Sequence, residues 1–322
     1  MSRKNNQCKK GDKMKGINNI DLRTFLVEEK VDVKLRRLIF YIAVTSKYIS
    51  SKIHEVNRKY AGTKNISGDE QLELDKAADK IIIERMKHSK YVKELASEEQ
   101  DEVISVKMPE QGEEAIYSVT IDPLDGSSLV DVNFAVGTIV GIYKGGFKGR
   151  KSIVASMYVL YGPLTTLVLT TGKGTHEFVL NPEGEFLLSQ KNIKIKEKGK
   201  LYSPGALRRD WLECHRKFIE LLEKEGHKLR YSGAGVADFN QILLKGGGVF
   251  TNPPIINKPE GKLRILFELQ PLAFIMEQAG GYAIDGQDDI LDIIPKNIHQ
   301  RSPVYFGSKY EIELARKCWK IE

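Results

Sequence analysis

Residues Ile121 to Ser128 read IDPLDGSS. Asp122 and Asp125 sit three residues apart around a proline, and Gly126, Ser127 and Ser128 follow. Two hard carboxylate oxygens on a stiffened turn suit Mg²⁺, which takes oxygen ligands in near-octahedral geometry and keeps several waters. The Leu124 carbonyl is a further oxygen within the same turn. The glycine and serines can present backbone N–H groups and two hydroxyls to a phosphate. The spacing equally fits a proline turn capped by an aspartate, so this segment alone leaves both readings open.

Three further acidic stretches are candidates for the same chemistry. SGDEQLELD carries Asp69 and Asp75, ASEEQDE carries Glu98 and Glu99, and KLRILFELQP places Glu268 at the end of an apolar, strand-like run. Each has an ordinary explanation. Either aspartate can cap a helix, and paired glutamates commonly form a solvated face. Glu268 is harder to dismiss, because a carboxylate on an apolar run is costly without a cation. Lys262 and Arg264 alternate on that stretch, placed to pair with acids or to contact an anionic substrate.

Competing chemistries lack their signatures. There is no GxxxxGK[ST], no HExxH and no paired-cysteine zinc spacing, and no GxSxG elbow. Gly233 and Gly235 lack the third glycine of a dinucleotide fingerprint. His54, His176 and His227 read as solvated or half-packed. The three cysteines, Cys8, Cys214 and Cys318, lie far apart, which fits a reduced, cytoplasmic protein. The formal charge of +7 attracts anions, but scattered lysines and clustered carboxylates argue against nucleic acid.

The elements that must position these residues are legible in outline. Leu35, Leu38, Ile39, Ile42, Ile49 and Ile53 recur at helical spacing from Val33, with Asp32 as a cap. A second helix is expected from Gln71 to Met86, and others at Asp210–Lys224 and Gln270–Ala279. AIYSVTI, GTIVGIY, SIVASMYVLYG and LTTLVLTT read as strands of a large, partly antiparallel sheet. The longest apolar run, LIFYIAV, is far too short to span a membrane. The fold class is α/β with mixed α+β character. Residues 1–16 are expected to be a basic flexible tail. Residues 17–198 are expected to form an N-terminal α/β half carrying most of the candidate acidic residues, and 199–322 a C-terminal α/β half.

In order and spacing, GDEQLELD, SEE, DPLDGSS and KLRILFE followed by AGG resemble class I fructose-1,6-bisphosphatases, within the Mg²⁺-dependent, lithium-sensitive sugar-phosphatase superfamily. The likeness runs from about Gly68 to Gly286, and DPLDGSS with KLRILFE is its most specific part. DPLDGSSLVDVNFAVGTI, YSPGALR, RYSGAGVADFNQ and GVFTN are similar to the sedoheptulose-1,7-bisphosphatase branch. The resemblance implies a layered αβαβα fold of two stacked halves and hydrolysis of the 1-phosphate of a sugar bisphosphate. It implies Glu98, Asp122, the Leu124 carbonyl, Asp125 and Glu268 as ligands of two or three Mg²⁺ ions, with Mn²⁺ as a substitute, and Asp69 as a ligand of a looser ion. Glu99 and Asp75 match residues that polarise the attacking water, and Asp125, Gly126, Ser127 and Ser128 the loop that holds the departing phosphate. Tyr231 and Lys262 match contacts to the rest of the sugar bisphosphate, and Arg264, on the same stretch as Lys262, is expected as a further substrate contact. Arg230 matches an arginine that reaches a neighbouring subunit's substrate, which implies a homo-oligomer, tetramer or dimer.

Two departures fall at the sugar end. Asn252 stands where a tyrosine is usual, and Ser203-Pro204-Gly205 replaces an N-E-G loop, which leaves six- and seven-carbon sugars both open. An inositol-monophosphatase-type enzyme is the nearest rival, and a basic nucleic-acid-binding protein the remote one.

Overall fold

The spacing that announces the first long helix also explains what it packs on. Helix α1 (Leu22–Glu28) leads into α2 (Val33–His54). The carboxylate of Asp32 accepts from the Lys34 and Leu35 N–H groups, 3.0 and 3.2 Å away, which satisfies donors that the first helical turn leaves free. The computed structural model describes residues 20–55, 60–64, 70–106 and 115–320. Strands β1 (Tyr60–Lys64) and β2 (Glu70–Leu72) pair before α3 (Glu73–Lys87).

An eight-stranded sheet follows. Its members are β3 (Val92–Ser97), β4 (Ile104–Ser105), β5 (Tyr117–Asp125), β6 (Val136–Lys144), β7 (Ile153–Tyr161), β8 (Thr165–Thr170), β9 (Thr175–Leu180) and β10 (Phe186–Gln190). The order is β10-β9-β8-β7-β6-β5-β3-β4, antiparallel except where β3 runs parallel to β5. Val140 and Ile142 pack with α2 and α3 on one face, while Ile139 and Tyr143 face the interior on the other. Both faces are covered, so the strands read as continuous apolar runs.

The remaining helices are α4 (Glu213–Lys224), α5 (Gly235–Leu244), α6 (Gln270–Gln278) and α7 (Lys309–Trp319). The other strands are β11 (Leu201–Pro204), β12 (Lys228–Leu229), β13 (Gly248–Asn252), β14 (Leu263–Arg264), β15 (Tyr282–Ile284), β16 (Arg301–Ser302) and β17 (Val304–Gly307). A five-stranded sheet has the order β12-β11-β13-β17-β15, and β14 pairs with β16 in a separate ribbon. Val236, Phe239 and Ile242 of α5 and Leu272 and Ile275 of α6 fill the space between the two sheets, against Phe250 and Phe306. On the far face, Val249 and Tyr305 meet Phe218 of α4 and Ile312 of α7. The result is the expected αβαβα stack, a mixed α/β fold. Among the described residues, no helix is long and apolar enough to cross a membrane.

Two expectations need revision. The KLRILFE run is not a strand: after two residues of β14, Ile265–Leu269 form a π-helical turn that leads directly into α6. The turn is buried on all sides, and a continuous apolar run does not distinguish buried helix from buried strand. Of the three histidines read as solvated or half-packed, His54 is exposed, whereas His176 and His227 are buried. His227 Nε2 lies 2.9 Å from Glu311 Oε1.

His215 is also buried, among Trp211, Phe218 and Tyr305, and burial holds its imidazole down to about 3. The unfolded chain binds this proton near pH 6.5, so stability is fully present above that pH and is lost as pH falls, by about 1.4 kcal/mol per unit. We expect H215F to take up about one proton fewer on unfolding between pH 6 and 4. Urea titrations at several pH values measure this; an unchanged acid limb contradicts it.

Candidate active site

Strand β5 carries the opening motif into the molecule's interior. In a regular strand, residues three apart face opposite sides. Here Asp122 pairs with Ile139 and Asp125 with Gly137, three steps on β5 against two on β6. This bulge turns both carboxylates to one side. The turn is fixed internally: the Leu124 N–H donates to Asp122 Oδ1 at 3.0 Å, and the Thr138 hydroxyl to the Pro123 carbonyl at 2.8 Å.

Two glycines allow the loop before α5 to close on this bulge. Gly126 has φ +77°, and a Cβ there would sit 2.5 Å from that of Ala234. A Cβ on Gly137 would come within 2.8 Å of Val236 Cγ1. In return the Val236 N–H, in the first turn of α5, donates to Asp125 Oδ2 at 2.7 Å, where the helix dipole favours negative charge. The buried Asp238 holds the loop itself, accepting from the Ser232 and Gly233 N–H groups at 2.8 and 3.3 Å.

Glu268 reaches the same place from the π-turn, with Oε2 accepting from the Arg264 N–H at 2.6 Å. One oxygen each from Asp122, Asp125 and Glu268 lie within 4.8 Å of one another. Glu98 follows β3, its N–H bonded to the Ile121 carbonyl at 3.0 Å, and its carboxylate forms an ion pair with Arg264. Burial, then the Glu98, Asp125 and Glu268 charges, push the Asp122 carboxyl well above the usual range. Burial likewise raises Glu268, and it raises Asp125 to about 6 against the opposing Val236 N–H bond. Such mutual repulsion is what a divalent cation relieves, and the donor set is all hard oxygen, which fits Mg²⁺.

These carboxylates line a cavity of about 600 Å³. Leu124, Gly126, Ser127, Ser128, Asp75, Glu99 and Lys262 line it too, with half-exposed Tyr231. Asp75 Oδ2 accepts from the Ser127 hydroxyl at 3.1 Å. Arg264 lies in the wall, engaged with Glu98 rather than turned to open space. Arg230 is exposed, its guanidinium bonded to the Leu229 carbonyl. Asp69 lies outside the described residues. The cavity also holds Lys258 and Arg301, which sequence reasoning missed, and Gly205 and Asn252, the two departures. Arg301 arrives because β16 pairs with β14, Arg301 opposite Arg264. No local pattern announces that pairing.

The stack of helices and sheets around this cavity is that of a sugar-phosphatase-type fold. It superimposes on the crystal structure of Leishmania major fructose-1,6-bisphosphatase in holo form with a TM-score of 0.87, at 31% identity over 95% of this chain and 100% of that one. The family description Fructose-1-6-bisphosphatase, N-terminal domain, matches residues 20–191, and the corresponding C-terminal domain matches residues 195–320. The class 1 fructose-1,6-bisphosphatase of Pelobacter propionicus is 48% identical over 295 residues, 91% of this chain and 90% of the relative. That of Geobacter sulfurreducens is 48% identical over 299 residues, 92% and 94% of the two chains. The chain belongs to the class 1 fructose-1,6-bisphosphatase family. Neither the inositol-monophosphatase-type rival nor the nucleic-acid-binding one is favoured by these matches.

The raised carboxyls bind protons to higher pH than the unfolded chain does. The stability they contribute is therefore present at low pH and lost as pH rises through the folded values, near 6 for Asp125. In chelator at pH 7, D122N should melt at or above the unsubstituted protein, because one repelling charge is gone. Millimolar Mg²⁺ should raise the melting temperature of the unsubstituted protein and leave D122N nearly unmoved. Equal Mg²⁺ shifts in the two proteins contradict this assignment.

Proposed function

We propose that this chain hydrolyses the 1-phosphate of fructose-1,6-bisphosphate, giving fructose-6-phosphate and inorganic phosphate, in carbohydrate metabolism of the gluconeogenic type. The observation that carries the reading is the meeting, in one cavity, of buried carboxylates, a glycine-serine turn and the lysines Lys258 and Lys262. Glu98, Asp122, the Leu124 carbonyl, Asp125 and Glu268 hold the metal, with Asp69 reserved for a looser ion. When bound there, two or three Mg²⁺ ions, or Mn²⁺ in their stead, would supply neutralisation of phosphoryl charge and make water more acidic.

Around that centre the protein's own groups divide the work. Glu99 orients the attacking water and accepts its proton as the new P–O bond forms and the bond from phosphorus to the C1 oxygen breaks, that oxygen taking a proton from solvent to leave as the sugar hydroxyl. Asp75 supports it more indirectly, through its bond with Ser127. The backbone N–H groups of Gly126, Ser127 and Ser128 hold the phosphate released. Lys262 and Tyr231 bind the rest of the sugar bisphosphate, and Arg264 positions Glu98. Exposed Arg230 reaches a neighbouring subunit's site in a homo-oligomer, tetramer or dimer. The metal-bearing half spans 17–198 and the sugar-binding half 199–322, and the enzyme works in the cytoplasm.

Sedoheptulose-1,7-bisphosphate is a second substrate on this reading. Gly205 and Asn252, the two departures at the sugar end, both line the cavity, and they are what supports this second substrate. Phosphate release with Mg²⁺ from both sugars, with inositol-1-phosphate as a control, tests the proposal. The bisphosphates should be hydrolysed and the inositol ester spared, and D122N should lose on the order of a hundredfold or more in kcat. No hydrolysis of either sugar, or full activity of D122N, overturns it.

A further inference from the structure

The turn carrying Glu98 and Glu99 belongs to the first sheet, whereas Glu268 belongs to the segment that leads into α6. Something must set one against the other. Arg264 does so in part through its ion pair with Glu98. That tie uses the Glu98 carboxylate itself, and it is given up whenever the carboxylate turns to another partner.

A second tie does not use the carboxylate. His299 Nε2 lies 2.9 Å from the carbonyl oxygen of Gln100. A carbonyl only accepts, so Nε2 carries the hydrogen. The imidazole lies against Phe267, ring centroids 5.4 Å apart, one residue before Glu268. Its own segment is anchored to the same place: the Gln300 carbonyl accepts from the Ile265 N–H at 2.9 Å, and Arg301 pairs with Arg264. The His299 N–H is fixed by Asn297 Oδ1 at 3.1 Å. From the other side, Gln100 Nε2 and the Ser97 hydroxyl both donate to Asp79 of α3, each at 2.6 Å. The turn is thus held by α3 through side chains and by the C-terminal segment through the bond from the His299 ring to the Gln100 main-chain carbonyl.

We propose that His299 is a positioning residue, which fixes the Glu98–Glu99 turn at its working distance from Glu268 through the Nε2–H bond to the Gln100 carbonyl. It touches neither substrate nor ion; it acts through the backbone of the turn. This inference rests on the metal-site reading above. Groups that orient ligands from behind commonly alter metal affinity about 10- to 100-fold.

The test uses Mn²⁺ alone, titrated without substrate and followed by the loss of the free-ion paramagnetic resonance signal. H299F keeps a ring against Phe267 and loses the donor, whereas H299Q keeps a donor that reaches the Gln100 carbonyl. H299F should bind Mn²⁺ about tenfold more weakly, with a melting temperature near that of the unsubstituted chain, and H299Q should recover most of the affinity. In steady state, H299F should show a raised Mg²⁺ half-saturation and a lowered kcat, with KM for the sugar bisphosphate changed less than about twofold. H299A takes the place of H299F if the latter does not fold. Unchanged Mn²⁺ binding in H299F overturns the inference, as does an equal loss in H299F and H299Q. Absence of Mn²⁺ binding by the unsubstituted chain overturns the metal reading, and this inference with it.

Discussion

Like charges crowded out of water are the constraint on which this molecule is organised. Asp122, Asp125 and Glu268 are buried, and burial together with the neighbouring Glu98 charge makes all three harder to ionise. An isolated buried carboxylate is so costly that it normally takes up a proton instead. The protein offsets part of that cost with fixed donors: the Val236 N–H for Asp125, the Leu124 N–H for Asp122, the Arg264 N–H for Glu268 and the Arg264 guanidinium for Glu98. The remainder is a standing demand for cations, and that demand is what gives the site its chemistry.

Meeting it dictates the architecture. The acids come from the ends of β3 and β5 and from the π-turn before α6, so both sheets and the helices between them must be in place before the cluster exists. The bulge in β5 brings two aspartates to one side, and Gly126 and Gly137 let the loop before α5 approach closely enough to donate to one of them. Ordinary apolar packing at Val236, Phe239 and Leu272 then holds the sheets at a fixed separation. Interiors packed at crystal-like density transmit small shifts rather than absorbing them, so groups far from the reacting phosphate set the carboxylate spacing.

Much of this was legible before any coordinates. The 3.6-residue period of α2, the Asp32 cap and the apolar runs of β5 to β8 are local signals, and they report local structure faithfully. IDPLDGSS was ambiguous by itself and became informative through its order relative to SEE, GDEQLELD and KLRILFE. What escaped had no local signature. Leu263 pairs with Ser302 across the chain, and this long-range ribbon is what delivers Arg301 to the cavity. Lys258 sits in an irregular turn among prolines. Ile265–Leu269 is buried on every side, so periodicity offers no means of telling a π-turn from a strand. His227 gave no sign of its burial because its partner, Glu311, lies far along the chain on α7.

The central claim is that Asp122, Asp125 and Glu268 share one divalent cation. A crystal of the unsubstituted protein soaked in Mn²⁺ and measured at a wavelength where manganese scatters anomalously tests it most directly. The account predicts an anomalous peak in bonding contact with all three carboxylates. No peak there, or one bound by other residues while the three carboxylates stay clear of it, contradicts it.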